Sequence, residues 1–196
     1  MNNEQRVFPG TTIKYNDAAR DSAFSVISPM LEATGGITLS QLSRLTGLEG
    51  STIQNWIKRG WVSPTRDKKY SEQQVLRILL INMLRGAMTL ESIANLMTYI
   101  NGDVEDTSDD IIEETELYNC LCRIIFDADD QSAFAPEEVR QLILHEIAGL
   151  DRDARANGEK LQNAMFVMLM AYRSAILRSE ADRMMETIFG NTQSDK

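Results

Sequence analysis

Three short patterns between residues 38 and 74 constrain the fold of this chain more than any other feature of its sequence. They are Thr38-Leu39-Ser40-Gln41, Ser51-Thr52-Ile53-Gln54 and Ser71-Glu72-Gln73-Gln74. In each pattern a hydroxyl at the N-cap can accept a hydrogen bond from a backbone amide three residues on, and the glutamine there can accept one from the N-cap amide. We therefore expect three helices to begin in quick succession at these positions.

Glycines indicate where the first two of these helices end. Gly47 and Gly60 each follow apolar residues at helical spacing, and glycine commonly ends a helix in the left-handed conformation. The first helix is predicted over 38–46 and the second over 51–59, with only four residues between them. Two short helices joined by a tight, glycine-containing turn form a helix-turn-helix unit.

The segment that follows, 61–70, is too short for a helix and contains Pro64. Trp61-Val62 and Lys69-Tyr70 are strand-forming pairs on either side of a charged turn, which predicts a two-stranded wing. A third helix is expected over 72–85 and a fourth over 89–101.

The flanking regions complete an all-α prediction. Residues 1–15 lack periodicity and predict a flexible arm, and one N-terminal helix from about Asp17 to Glu32 is expected to kink at Pro29. Further helices are predicted at 109–126, 136–149 and 158–189. The predicted divisions are an arm at 1–15, an N-terminal helix at 16–35, a winged helix-turn-helix at 36–101 and an acidic helical C-terminal domain, or bundle, at 102–196.

Charge is distributed unevenly along the chain. The net charge of −9 comes from 20 Lys and Arg against 29 Asp and Glu. Between residues 36 and 98, however, eight basic residues face four acidic ones, so this stretch carries +4 and the remainder −13. A basic module on an acidic body is typical of a protein that binds nucleic acid through one part only.

The second helix, the predicted recognition helix, presents a polar face. With Ile53 at the centre of the buried side, a rotation of about 100° per residue places Ser51, Asn55 and Lys58 opposite it. Amides can pair with adenine, and cations with guanine or phosphate. An ordinary solvated face has the same composition, but the cluster of cations in the wing at 61–70 favours DNA, because such residues can hold the phosphate backbone. The predicted DNA-binding residues are Arg44, Ser51, Thr52, Gln54, Asn55, Lys58, Arg59, Arg66, Lys68, Lys69 and Tyr70.

The order of these segments carries a resemblance to a known family. Ser51 to Trp56, Gly60 to Pro64, Tyr70-Ser71 and Thr89 to Ile93 follow one another as in the MerR-type winged helix-turn-helix. More closely, 33–102 and its continuation to 112 resemble an uncharacterised bacterial family known only as a MerR-like domain of unknown function. The resemblance covers a little over half of the chain. It implies a DNA-binding transcription regulator in which both tryptophans, Trp56 and Trp61, belong to the core.

The chain departs from the MerR pattern at three points. Gln54 stands where those proteins usually have arginine, and Asn55 where they usually have an aromatic residue. An acidic linker and several helices also replace the single long helix that usually follows the DNA-binding domain and joins two protomers. The C-terminal helices are accordingly expected to pair protomers in a homodimer or to respond to an effector or protein partner.

Other kinds of site have weaker support. Cys120 and Cys122 lie two apart on a predicted helix, which suits neither a disulfide nor a shared metal, and we expect structural thiols. Acidic residues at 103–114 and 127–138 approach the spacing of a calcium loop, but Ser108 and Ser132 stand where the sharp turn requires glycine. No phosphate-binding loop, nucleophile motif or metal-binding helix motif occurs, so we expect no cofactor, no metal and no enzymatic activity.

The sequence therefore predicts a cytoplasmic, sequence-specific DNA-binding regulator. Its first residues form no apolar signal segment, and the uncharged stretch at 161–172 is shorter than the roughly 20 residues that span a membrane. The alternative is a protein-interaction adaptor that keeps the winged fold without binding DNA, which the overall acidity and Gln54 favour.

Overall fold

The computed structural model describes residues 6–104, 106, 108–127 and 135–190. This part of the chain is mostly helical, with one small sheet, as predicted. Two short 3₁₀ helices, Asp17–Ala19 and Ala23–Val26, precede the other elements. These are α1 Ser28–Thr34, β1 Ile37–Thr38, α2 Leu39–Thr46, α3 Gly50–Lys58, β2 Lys69–Tyr70, α4 Glu72–Leu84, α5 Leu90–Asn101, α6 Glu114–Asp127, α7 Pro136–Gly149, α8 Arg152–Ala156 and α9 Gly158–Gly190.

Residues 6–15 do not form the flexible arm that the sequence predicted. Val7 and Lys14 pair in an antiparallel bridge, and the Phe8 ring between them is 1% exposed. The backbone amide of Thr12 donates to the carbonyl of Leu45 on α2. Local patterning could not show this packing, because one buried aromatic residue with partners distant in sequence has no periodicity.

The segment 16–35 also differs from its prediction. The single kinked helix is replaced by two 3₁₀ turns and the short helix α1. Pro29 lies in the first turn of α1, where its missing amide proton costs nothing, so it helps to start a helix instead of bending one.

Two of the three predicted capping boxes are present. Thr38 with Gln41 begins α2, and Ser71 with Gln74 begins α4. The prediction at Ser51 is wrong: α3 begins one residue earlier, after Glu49, and no side chain caps it. The turn from Gly47 is so short that Ser51 already lies within the first helical turn.

The predicted pairing of Trp61-Val62 with Lys69-Tyr70 does not form, although a small two-stranded sheet is present. β2 pairs with β1, the strand immediately before α2, with Ile37 opposite Tyr70. Trp61-Val62 forms a bend, so its assignment as a strand is wrong. A tight hairpin turn through Asp67 and Lys68 is closed by a bridge between Arg66 and Lys69. The segment 61–70 is therefore tied through β2 to the strand that immediately precedes α2.

α4 is the centre of the fold. Ten of its 13 residues are buried, including Leu76 and Leu80. It packs against α2, α5, α6 and α9. The predicted DNA-binding unit and the helices after residue 102 thus share one hydrophobic core.

The C-terminal helices follow the predicted order. α6 begins later than predicted, at Glu114, and the short helix α8 was not predicted. α9 packs mainly on α7, with Met165, Met168 and Leu169 fully buried. From residue 177 to 189 every residue of α9 is exposed. None of the helices described is long and apolar enough to cross a membrane.

Candidate nucleic-acid interface

α3 separates an apolar face from a polar one, as its sequence predicted. Ile53 and Trp56 are at most 1% exposed and hold the helix against the core. On the opposite side Ser51, Asn55 and Lys58, at helical spacing, are all exposed. Of the flanking residues, Gln54 and Arg59 are exposed and Thr52 is half-buried. Ile57, on the same helix, is also half-buried. The helix therefore presents amide and cationic groups to solvent.

The hairpin turn of the wing projects two further cations. Asp67 and Lys68 have φ values of 51° and 58°, so both adopt the left-handed conformation of a type I′ turn. This turn exposes the side chains of Arg66 and Lys68. Gln74 holds the segment that precedes the hairpin turn, because its side-chain amide nitrogen, Nε2, donates hydrogen bonds of 2.8 Å to the carbonyls of Ser63 and Pro64.

Tyr70 and Lys69 are not placed as the sequence predicted. Tyr70 is 4% exposed and belongs to the core, where burial raises the pKa of its hydroxyl, so it does not lie on the exposed surface with the other predicted DNA contacts. Side chains alternate across a strand, and Tyr70 occupies the inner face of β2. Lys69 is exposed, but its Nζ donates to the carbonyl of Thr34 and so braces the wing.

The six candidate cations of this region are exposed and lack a carboxylate partner among the described residues. In the part of the chain that the structure describes, none of the candidate cations forms an ion pair with a carboxylate. They are Arg44, Lys58, Arg59, Arg66, Lys68 and Lys69. Of these, Arg44 bonds only to the Ser40 carbonyl within α2, and the Arg59 guanidinium lies 5.2 Å from the centroid of the Trp61 ring. Such groups can approach phosphate without first breaking a salt bridge.

One cation counted in the basic stretch does not contribute to this surface. Arg77 is 8% exposed, and its Nε lies 2.6 Å from Oε1 of Glu114 on α6. Sequence reasoning missed this pair because the partners are 37 positions apart on different helices. With Arg77 neutralised internally, seven basic residues remain against four acidic ones in the stretch, which is still a positive balance.

The cysteines and the calcium-like patterns are the other candidate sites. Cys120 and Cys122 are buried and free, and burial raises the pKa of both thiols, as expected of structural cysteines. Glu105 and Thr107 of the first calcium-like pattern, and Asp129 and Ser132 of the second, lie outside the described residues. Within the residues described, no group of three or more His, Cys, Asp or Glu could hold a metal ion.

The candidate interface lies within a region of the chain that matches a known protein family. Residues 30–121 match the model of a family described as a domain of unknown function, DUF1836. That region begins in α1 and ends in α6, so it contains every predicted DNA-binding residue.

A curated relative covers a similar extent. The chain is 31% identical over 96 residues to the uncharacterized protein YkrK of Bacillus subtilis (strain 168), which is 47% of this chain and 41% of that protein. The chain thus spans about two fifths of the length of the relative it matches. No solved structure matches the chain.

Proposed function

We propose that this protein is a sequence-specific DNA-binding transcription regulator. α3 enters the major groove, where Gln54, Asn55 and Lys58 contact base edges. The hairpin turn places Arg66 and Lys68 on the phosphate backbone. The observation that carries the proposal is the set of exposed, unpaired cations on α3 and the wing of a protein whose net charge is −9.

Selection of bound fragments from random DNA, followed by titration of the selected duplex, tests this proposal. Four phosphate contacts per protomer predict that log K falls with log[salt] at a slope of about −4 for each bound protomer. Lys58→Ala/Arg59→Ala should weaken binding to the selected duplex more than binding to random duplex. Arg66→Ala/Lys68→Ala should weaken both alike and flatten the slope by about 2 units.

A matched control removes the same charge elsewhere. Lys14 and Arg152 are exposed and lie outside α3 and the wing, so Lys14→Ala/Arg152→Ala should leave the affinity for the selected duplex nearly unchanged. If the unaltered protein binds no duplex even at low salt, the DNA proposal fails and the adaptor alternative takes its place.

The proposal includes a homodimer formed through the free end of α9. Leu177, Met184, Ile188 and Phe189 are each at least 50% exposed there. Together with Ala181, the first three follow the alternating spacing of four and three residues that is typical of a coiled-coil seam. A second protomer would cover this seam, and a two-fold dimer would present two copies of α3 to two half-sites.

Sedimentation velocity tests the dimer. Met184→Glu/Ile188→Glu should give a monomer, because it places carboxylates within the seam. Ser179→Glu adds a carboxylate on the opposite side of the same exposed segment and should leave the dimer intact. A dimer that survives the double substitution would exclude this interface, and a monomeric wild-type protein would exclude the dimer itself.

A further inference from the structure

Gln74, in the first turn of α4, is a buried polar residue whose side chain contacts backbone outside its own helix. It is 5% exposed. Its Oε1 accepts a 2.8 Å hydrogen bond from the Ser71 amide, and its Nε2 donates 2.8 Å hydrogen bonds to the carbonyls of Ser63 and Pro64. A side-chain amide has two N–H donors, so each carbonyl can take one of them. The residue therefore caps α4 and also holds a separate segment of the chain.

The segment that Gln74 holds leads directly into the hairpin turn. Ser63 and Pro64 precede Arg66 by three and two residues, and they lie in a stretch of the described chain that forms neither helix nor strand. The far end of the turn is held differently, because β2 pairs with β1. The entrance of the hairpin turn is thus fixed to α4 and its exit to the small sheet.

α4 gives this segment a firm support that is shared with the helix-turn-helix. Ten of the 13 residues of α4 are buried. The helix contacts α2, and α2 in turn contacts α3. A bond from α4 to the entrance of the hairpin turn therefore fixes the position of the turn relative to α3. Cations on two elements can contact phosphate and base edges together only if their spacing is held by supporting hydrogen bonds.

We propose that Gln74 is a positioning residue for DNA binding, an inference that rests on the proposed function. Its two hydrogen bonds hold the side chains of Arg66 and Lys68 where they contact phosphate while α3 lies in the major groove. Gln74 is buried and does not itself touch the duplex. Without these bonds the entrance of the turn is free to move, and binding must also order the two cations.

The substitution Gln74→Glu separates the two tasks of this side chain. One carboxylate oxygen can still accept from the Ser71 amide, since glutamate and glutamine both serve at this position of a capping box. The other oxygen faces two carbonyls and has no proton to donate. Gln41→Glu is the matched control, because it adds the same charge at the same position of the capping box that begins α2. Among the described residues, Nε2 of Gln41 donates to no carbonyl.

Titration of the selected duplex at several salt concentrations measures the effect on DNA contacts. Gln74→Glu should flatten the slope of log K against log[salt] by about 2 units for each bound protomer, as when both cations of the turn lose their phosphates. It should weaken binding to selected and random duplex by a similar factor. Gln41→Glu should keep the slope. A loss of folded protein alone would not change the slope, because it lowers the active concentration equally at each salt concentration.

Digestion with trypsin measures the freedom of the hairpin turn without DNA. Loss of the two hydrogen bonds should raise the rate of cleavage after Lys68 by about tenfold in Gln74→Glu and leave it unchanged in Gln41→Glu. Cleavage after Arg77, which is buried in α4, requires wider unfolding and should increase much less. Mass spectrometry of the fragments distinguishes the two sites.

The possible outcomes separate this inference from the proposed function. If Gln74→Glu does not fold, Gln74→Met replaces it, since methionine is neutral, similar in length and unable to donate, and it should show both changes. If the wild-type protein binds the selected duplex but either the slope or the cleavage after Lys68 is unaltered in the variant, the role of Gln74 is overturned and the DNA proposal stands. If the wild-type protein binds no duplex, both are overturned.

Discussion

Replacing Arg77 with methionine is expected to lower the free energy of unfolding at pH 7.5 by about 3 kcal/mol. Arg77 and Glu114 are both more than nine-tenths buried, and each is the other's charged partner between α4 and α6. The substitution leaves Glu114 buried without its cation, so the group must either stay charged there or take up a proton at pH 7.5, and both cost more than the loss of one contact. Urea unfolding monitored by circular dichroism measures the change.

The cost should be much smaller in acid. Burial raises the pKa of Glu114 to about 7, although Arg77 opposes this shift, so removing Arg77 raises the pKa further. At pH 5 the carboxyl of the variant is neutral, and we expect a loss of about 1 kcal/mol or less.

Two controls separate the buried charge from other causes. Arg85→Met makes the same substitution at the exposed end of α4 and should change stability by less than about 0.5 kcal/mol. Arg77→Met/Glu114→Leu removes both charges and should recover most of the loss at pH 7.5. An equal loss at both pH values, or no recovery in the double variant, would contradict this account.

The wild-type protein should show a related dependence on pH. The pKa values of Asp110 and Glu114 in the folded state, about 6 and about 7, lie above their ordinary values of 3.8 and 4.5. Between about pH 4 and 7 the folded state therefore binds more protons than the unfolded state, and its stability falls as the pH rises through this range. Glu114→Gln should flatten the fall.

Replacing Gly10 with alanine is expected to destabilise the protein by about 3 kcal/mol or more. Gly10 has a φ of +74°, and a Cβ there would overlap the backbone carbonyl of Leu79 on α4. Its own carbonyl accepts a 2.9 Å hydrogen bond from Nδ2 of Asn82, so the turn cannot move away without losing this bond. The backbone of α4 cannot yield either, because ten of its 13 residues are buried and it contacts four other helices.

Gly60 provides a matched comparison for this substitution. Its φ of +75° is nearly the same, but a Cβ there would meet no atom within 4 Å. Gly60→Ala should therefore cost only the backbone strain, about 1 kcal/mol. Chemical unfolding of both variants isolates the effect of the close approach. Similar losses in the two would mean that residues 6–15 are not packed against α4 as the structure shows.

The candidate interface could be predicted in part from local sequence. The exposed face of α3 follows from helical periodicity, and the caps at Thr38 and Ser71 follow from side-chain chemistry within four residues. Tyr70 could not be placed in the same way, because a two-residue strand has no pattern that shows which side faces the core. The partner of β2 is β1, which lies more than 30 positions earlier and carries no signal of its own.

The order of α2 to α7, and of α9 after them, was determined by the sequence alone, since helix starts, glycine ends and apolar spacing act over a few neighbouring residues, whereas the 3₁₀ turns before α1 and the short helix α8 were not. Tertiary structure decided everything that depends on distant contacts: the packing of Phe8, the orientation of Tyr70 and the neutralisation of Arg77 by Glu114. Burial and charge pairing are properties of groups brought together by the fold, and no local pattern records which groups those will be.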